Sequence, residues 1–145
     1  MSDLPHEYPV TVTWQEAKKG NMTIPGLPDL QVATPPEFPG GHAGIWSPEH
    51  LFTAAVASCL MTTFIAIAEN SKLIFKSFAC DSKGYLDKAE KGFVMSKVEL
   101  FPVVEVYEEK DKERALRILE KAEKACLISN SVKSEVHMQP EVLVI

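Results

Sequence analysis

The first third of the chain shows a polarity pattern typical of short strands separated by turns. Residues 8–14 (YPVTVTW) alternate in polarity and are rich in β-branched side chains, which predicts a strand. Residues 16–21 are predicted to form a turn, and residues 22–24 and 30–33 are predicted to be short strands beside proline-containing turns. Residues 34–46 are dense in proline and glycine and are predicted to form a loop, a length at which loops are often functional.

A long helix is predicted to begin at Ser47 and to end near Asn70. Serine is favoured at the N-cap, proline in the first turn, and glutamate near the positive end of the helix dipole. Ser47, Pro48 and Glu49 supply these three residue types in that order. No charged side chain follows His50 until the last turn of the predicted helix.

The uncharged stretch Leu51–Ala68 just reaches the minimum length of a membrane-spanning helix. Hydroxyl side chains dilute it and no cluster of Lys or Arg flanks it, so we expect no membrane span. A helix that is apolar on all sides is otherwise buried in protein. A chain of this length hardly covers such a helix completely, which suggests that a partner subunit supplies the missing cover.

Two long strands are predicted after this helix. Residues 73–86 and residues 92–107 both have strand character, and the residues between them, 87–91, have the length of a hairpin turn. Pro102 lies inside the second strand, where it indicates a sheet edge or a bulge, because proline has no main-chain N–H to donate.

A second helix and a final strand complete the pattern. The second helix is predicted from Asp111, a candidate cap, to about Cys126, and residues 132–145 are predicted to return as one strand. The apolar positions of this helix follow the helical period: Ala115, Leu116, Leu119, Ala122 and Cys126. This order of elements predicts a single α+β domain over residues 1–145 with a largely antiparallel sheet.

Composition narrows the class of protein. The chain has 145 residues, a net charge of −5 and only three cysteines. The acidic balance argues against nucleic acid as a partner, because binding to phosphates requires a basic face. The N-terminus has neither the basic nor the apolar region of a signal peptide, and the cysteines are too few for a secreted disulfide framework. We therefore expect a cytoplasmic protein, in which a disulfide would more often be catalytic than structural.

The cysteines are the strongest candidates for chemistry. Cys59 lies in the middle of the apolar helix, too far from its start for the dipole to favour a thiolate, so a reactive Cys59 needs a nearby cation or hydrogen-bond donor. Cys126 lies at the C-terminal end of its helix, where a resolving thiol fits better than an attacking one. A lone buried cysteine is usually a small hydrophobe, which is our interpretation of Cys80, whereas Cys59 and Cys126 could instead be a redox pair.

The segments around these two cysteines resemble the cysteine motifs of the OsmC/Ohr family (osmotically induced protein C and organic hydroperoxide resistance protein). The first motif comprises Ser47–Phe52, Ala54–Ala55 and Cys59. The second comprises Ala122–Cys126 followed by Ser129–Ser131. The loop before the first motif and the order of strands and helices agree with the same family, so the resemblance covers nearly the whole chain.

The resemblance implies a fold and an activity. The fold would be an intertwined α+β homodimer with buried central helices and mainly antiparallel sheets. The activity would be thiol-dependent reduction of organic hydroperoxides, in which Cys59 attacks the peroxide and becomes a sulfenic acid, and Cys126 condenses with it to form a disulfide. A dithiol such as a lipoylated protein would restore the thiols. The resemblance implies that no metal, haem or flavin is required.

One motif departs from the family pattern. Family peroxidases carry an arginine in the first hairpin, oriented by the glutamate at the helix start, which here is Glu49. The corresponding segment, residues 15–20, contains no arginine; Lys18 aligns best with it, and Lys19 is its neighbour. Lysine supplies the charge without the planar bidentate fork of arginine. An exposed Lys18 is also compatible with simple solvation, and Glu49 with a role that only complements the helix dipole.

Two other functions remain compatible with the sequence. The missing arginine motivates a non-catalytic protein of the same fold that binds an apolar small molecule at the dimer interface. The two cysteines would also suit a general thiol–disulfide oxidoreductase acting on proteins.

Overall fold

The computed structural model describes residues 4–145, which form strands and helices in an α+β arrangement, as predicted. The chain divides into two compact units, residues 1–51 and residues 52–145. This division neither supports nor contradicts the prediction of a single domain over residues 1–145, which stays a prediction.

The first unit contains a three-stranded antiparallel sheet in the order β1-β2-β3. The strands are β1 (Thr11–Glu16), β2 (Lys19–Thr23) and β3 (Leu30–Ala33). The turn predicted over residues 16–21 is present but shorter, because the chain reverses at Ala17, with φ of 49°, and Lys18. Gly20 lies outside the turn and is paired with Trp14 inside the sheet.

Glycine is required at position 20 because the main chain of β1 approaches it closely, and not because the chain turns there. A Cβ atom at this position would lie 2.8 Å from the carbonyl oxygen of Thr13, a distance that real Cβ atoms essentially never show. The glycine that suggested a turn in the sequence is therefore required by the strand opposite.

Residues 34–46 form a loop, as predicted, and main-chain hydrogen bonds hold it. The N–H of Thr34 donates to the carbonyl of Lys18 at 3.2 Å, and the N–H of His42 donates to the carbonyl of Thr34 at 2.9 Å. Gly41 packs so closely that a Cβ atom there would lie 1.9 Å from the Pro35 oxygen. This proline- and glycine-rich segment therefore has one defined conformation.

Helix α1 (Pro48–Asn70) has the predicted bounds. The hydroxyl oxygen of Ser47 accepts the N–H of His50 at 3.1 Å, which is the predicted N-cap bond. At the other end, Lys72 adopts a left-handed conformation with φ of 56°, and the N–H of Leu73 donates to the carbonyl of Ala68 at 2.9 Å. This bond satisfies one of the carbonyls that the helix end leaves open.

The second unit is built on a long antiparallel hairpin. Strands β4 (Phe75–Lys88) and β5 (Phe93–Val106) pair along their length, as the sequence predicts. The predicted single strand over residues 132–145 is wrong, because it divides into β6 (Glu135–Met138) and β7 (Glu141–Val144). Both pair with β5 in parallel, so this sheet is mixed.

Pro102 lies neither at a sheet edge nor at a bulge, so that prediction is also wrong. It is fully buried in β5, which has strands on both sides. The parallel neighbour changes there from β6, which pairs as far as Leu100, to β7, which pairs from Val103. The missing N–H of proline therefore falls in the gap between two ladders.

Helix α2 (Lys112–Ala125) follows a 3-10 turn (Glu109–Asp111). Asp111 occupies the predicted N-cap position without a side-chain capping bond, because its carboxylate pairs with Arg114 at 3.0 Å. The guanidinium of Arg114 also donates to the carbonyl of Ser71 at 2.6 Å, just beyond the end of α1. This contact ties the start of α2 to the end of α1 within the second unit.

One hydrophobic core joins α1, α2, β5 and β7. Its fully buried members alternate along β5, as expected for one face of a sheet. The buried α2 residues lie on one side of that helix. The core residues that define these faces are Val56, Leu60, Phe64, Ala68, Val98, Leu100, Val104, Val106, Ala115, Ile118, Leu119, Ala122 and Val142.

The chain covers only part of α1. Met61 remains 37% exposed and Ile65 36% exposed, although both are large and apolar. By length and composition α1 is the one helix in the described part of the chain that could span a membrane, with a mean hydropathy of 2.0 and 28% of its most apolar window buried. The expectation that a single chain leaves this helix incompletely covered is confirmed.

Candidate functional site

The second unit brings Cys59 and Cys126 together. Cys59 lies in the middle of α1 and Cys126 immediately follows the last residue of α2. Both side chains are buried free thiols, and each thiol acts on the pKa of the other. Two cysteines that are distant along the chain thus form one dithiol site.

The end of α2 shapes this site. Cys126 has ψ of 112°, which takes the chain out of the helix, and a 3-10 turn (Ser129–Ser131) follows. The N–H of Asn130 donates to the carbonyl of Cys126 at 3.0 Å, so the segment folds back onto the helix end.

Four donors act on the sulfur of Cys59. Burial raises its pKa, but hydrogen bonds from the Cys126 thiol, the Ile128 N–H, the Thr63 hydroxyl and the Leu127 N–H together lower the pKa below the ordinary 9.0. The oxygen of Thr63 lies 3.9 Å from the sulfur, one helical turn away on α1. The site therefore favours a thiolate at Cys59.

Cys126 has the opposite tendency. Burial raises the pKa of its thiol above 9.0, and the hydrogen bond to Cys59 raises it further, while the side chain and N–H of Ser129 act in the other direction. These opposite shifts of the two pKa values favour ionisation of Cys59 before Cys126. These directions match the division into attacking and resolving thiols expected from the sequence, while the catalytic roles themselves stay predictions.

Cys80 has a different environment on β4. It is partly buried against the hydrophobic core, and burial raises its pKa, with the charge of Asp81 acting in the same direction. Its thiol donates to the carbonyl of Asp81 at 3.5 Å. A protonated, packed side chain agrees with the interpretation of Cys80 as a core residue.

The predicted charged residues of the site belong to the first unit. The ammonium of Lys18 donates to the carbonyl of Pro39 at 2.5 Å, and Lys19 pairs with Glu16 at 3.5 Å. Glu49 is half-buried in the first turn of α1. Lys18 therefore has a structural contact in the loop, and the roles of Lys18 and Glu49 at the thiols stay predictions.

Sequence reasoning missed the donors around Cys59. Thr63 lies four residues after Cys59, a spacing that places both side chains on one helix face, so it could have been found. The N–H groups of Leu127 and Ile128 have no signal in their side chains. They depend on how the chain leaves α2.

Metal binding has no evident site in the part of the chain that the structure describes. Among residues 4–145, no group of three or more His, Cys, Asp or Glu side chains is arranged to hold a metal ion.

Solved structures of similar fold cover nearly the whole chain. An OsmC-like protein of unknown function from Vibrio cholerae has a TM-score of 0.82 and 24% identity, over 93% of this chain and 99% of that one. An organic hydroperoxide resistance protein OsmC from Legionella pneumophila has a TM-score of 0.73 and 27% identity, over 94% and 98% of the two chains.

The sequence comparisons agree with these structures. The uncharacterized protein YmaD of Bacillus subtilis is 24% identical over 143 residues, which cover 96% of this chain and 95% of that protein. A family model described as OsmC-like protein matches residues 41–141, a range that includes both cysteine motifs. The resemblance stated from the motifs is thereby confirmed, and the chain belongs to the OsmC/Ohr family of OsmC-like proteins.

Proposed function

We propose that this protein is a thiol peroxidase that reduces organic hydroperoxides through Cys59 and Cys126. The observation that carries the proposal is the paired environment of the two buried thiols, in which the pKa of Cys59 is lowered and that of Cys126 is raised. The thiolate is the nucleophilic form of cysteine. The name of the Legionella pneumophila relative, an organic hydroperoxide resistance protein, supports the choice of substrate class.

The reaction would proceed in three balanced steps. The Cys59 thiolate attacks one peroxide oxygen, so that an S–O bond forms, the O–O bond breaks, and the alkoxide leaves as an alcohol after taking up a proton. Cys126 then attacks the sulfenic acid sulfur, forming the disulfide and releasing water. An external dithiol reduces this disulfide by exchange and is itself oxidised to a disulfide. A lipoylated protein would be a suitable dithiol.

We further propose that the active form is a homodimer in the cytoplasm. The exposed side chains of Met61 and Ile65 on α1 support this assembly, because a second copy would remove them from water. Apolar side chains also lie exposed along the first strand region, at Val10, Val12 and Trp14.

Lys18 would supply a positive charge to the reacting thiolate, with Glu49 orienting it.

Stopped-flow oxidation with an alkyl hydroperoxide tests the peroxidase proposal. Wild type should be oxidised much faster than free cysteine, Cys59→Ser should lose the reaction, and Cys80→Ser should retain it as the matched cysteine control. Wild-type rates equal to those of free thiol would contradict the proposal.

A non-catalytic binding function has one specific observation in its favour. The uncovered apolar face of α1 would suit an apolar small molecule held between two copies. Native mass spectrometry of the purified protein separates the two functions. A stoichiometric apolar ligand together with slow peroxide oxidation would support binding, and a ligand-free protein with fast oxidation would support the peroxidase.

General thiol–disulfide exchange uses the same two thiols on a different substrate. Reduction of insulin by this protein in the presence of a dithiol measures that activity directly. The peroxidase proposal expects insulin reduction no faster than with the dithiol alone.

A further inference from the structure

Helix α2 carries four basic side chains in a row along one side. Arg114, Arg117, Lys121 and Lys124 are separated by three, four and three residues, spacings that place side chains beside one another on a helix surface. From Arg114 to Lys124 this basic row extends about 15 Å along the helix axis. It contains both arginines of a chain whose net charge is −5. The basic row is therefore a local concentration of positive charge on an acidic protein.

The basic row borders a groove between α2 and Ser71, the residue that follows α1. The groove has a volume of about 380 Å³, and Ile118 and Glu120 complete its lining. Arg114 is bonded to Asp111 at 3.0 Å and to the carbonyl of Ser71 at 2.6 Å. These two bonds give the guanidinium of Arg114 a fixed position at one edge of the groove.

Most of the positive charge beyond Arg114 is not neutralised by carboxylates. Arg117 has only the long ion pair with Glu113 at 3.9 Å, and both side chains are exposed. Lys121 and Lys124 are exposed and form no ion pair with a carboxylate among residues 4–145. Like charges at these spacings destabilise a helix, and the helix dipole favours a cation only in the last turn, which accounts for Lys124 alone. Helix stability therefore does not explain the row, whereas a negatively charged partner would.

The geometry favours an acidic protein segment over other anions. The row is linear, whereas a single phosphate is best held by donors that converge on it. The opposite side of α2 is buried in the hydrophobic core, so the helix has no apolar face to insert into a membrane surface. Glu113 and Glu120 lie beside the row, and with the net charge of −5 they would repel the backbone of a nucleic acid.

We propose that the groove beside the basic row binds an acidic segment of a partner protein. Successive carboxylates of this segment pair with Arg117, Lys121 and Lys124, and Arg114 borders the end of the groove at Ser71. The surface does not include Cys59 or Cys126, so the inference goes beyond the proposed peroxidase function and does not depend on it.

Fluorescence anisotropy with a labelled peptide of eight glutamates tests this binding on the full chain. A labelled peptide of eight glutamines is the matched probe without charge. We expect the wild type to bind the glutamate peptide at least about tenfold more tightly than the glutamine peptide at low ionic strength, and the preference to shrink as salt screens the charges. Equal binding of the two peptides would overturn the inference.

Charge reversal locates the binding surface. Arg117→Glu/Lys121→Glu should weaken binding of the glutamate peptide by about tenfold or more. Lys88→Glu/Lys91→Glu changes the net charge equally at the junction of β4 and β5, and it should alter binding by less than about twofold. Equal weakening by the two double variants would show attraction to the whole protein rather than to the groove, and would overturn the inference. If the first double variant fails to fold, Arg117→Gln/Lys121→Gln should show a smaller loss in the same direction.

Two other occupants are outcomes of the same experiment. Inorganic phosphate that displaces the glutamate peptide at an equal concentration of charge would show a site for small anions and overturn the inference. Vesicles containing phosphatidylserine that bind wild type and not Arg117→Glu/Lys121→Glu would show a membrane surface and also overturn it. The peroxide oxidation rate of Arg117→Glu/Lys121→Glu should equal that of wild type, so this proposal and the peroxidase proposal fail separately.

Discussion

The two helices of the second unit contribute one cysteine each, from contrasting positions. Helix α1 is apolar on all sides and has Cys59 at its middle, where the neighbouring N–H groups are committed to the helix ladder. Helix α2 is amphipathic and ends at Cys126, so the N–H groups beyond it are free to act on a sulfur. A thiolate in the middle of a helix therefore depends on side chains such as that of Thr63 and on groups from outside that helix, and the end of α2 supplies such groups.

The largest expected difference in the free energy of unfolding is between a substitution on the buried face of α1 and one on the solvated face of α2. Phe64 is fully buried and packs on Phe75 and Phe78, so Phe64→Ala should lower the free energy of unfolding by about 3–5 kcal/mol. Arg117 makes only a long ion pair with Glu113 at 3.9 Å on the exposed side of α2, so Arg117→Ala should change it by less than about 0.5 kcal/mol. Urea unfolding measures both, and equal losses would contradict this assignment of faces.

The next effect tests the donor from Cys126. Cys126→Ala removes the side chain that lowers the pKa of Cys59 most, so that pKa should rise by about one unit. Cys126→Ser keeps a donor at the same position and should show a smaller rise. The pH dependence of Cys59 alkylation measures both variants, and identical behaviour of Ala and Ser would argue against a hydrogen bond at this position.

A smaller effect tests the donor within α1. Thr63→Val removes the hydroxyl 3.9 Å from the Cys59 sulfur while keeping a similar shape, and it should raise the pKa of Cys59 by less than Cys126→Ala does. The same alkylation experiment compares the two variants. A larger rise in Thr63→Val would move the main source of stabilisation from the end of α2 into α1.

The smallest effect is the dependence of stability on pH. A thiol whose pKa is lower in the folded than in the unfolded state favours folding once the pH is above the folded-state pKa, and this contribution is complete above the unfolded value near 9.0. The stability of wild type relative to Cys59→Ser should therefore increase from neutral pH towards 9.0 and be lost as pH falls through the folded pKa. Denaturation under reducing conditions measures this difference, and the opposite slope would show that burial dominates.

Local signals in the sequence were sufficient for the long elements. Ser47 and the positions that follow it predicted the start of α1, and Asn70 its end, because caps and charges act within one turn. The loop over residues 34–46 followed from its proline and glycine content. Cys59 and Cys126 were found as a pair through the motifs around them, and the structure brings them together.

Features that depend on distant partners were not predicted. The division of residues 132–145 into β6 and β7, and their parallel pairing, depend on β5 rather than on their own sequence. Pro102 was misinterpreted for the same reason, since the sheet tolerates a proline there only because it lies at the gap between β6 and β7. The main-chain donors at Leu127 and Ile128 carry no side-chain signal, because any residue has an N–H group to offer.

Peptide mapping after treatment with one equivalent of an organic hydroperoxide tests the central claim most directly. We predict a disulfide between Cys59 and Cys126, with Cys80 remaining a free thiol and one alcohol formed per disulfide. Oxidation that leaves Cys59 and Cys126 unlinked, or that links either of them to Cys80, would contradict the account of a dithiol site formed by the two helices.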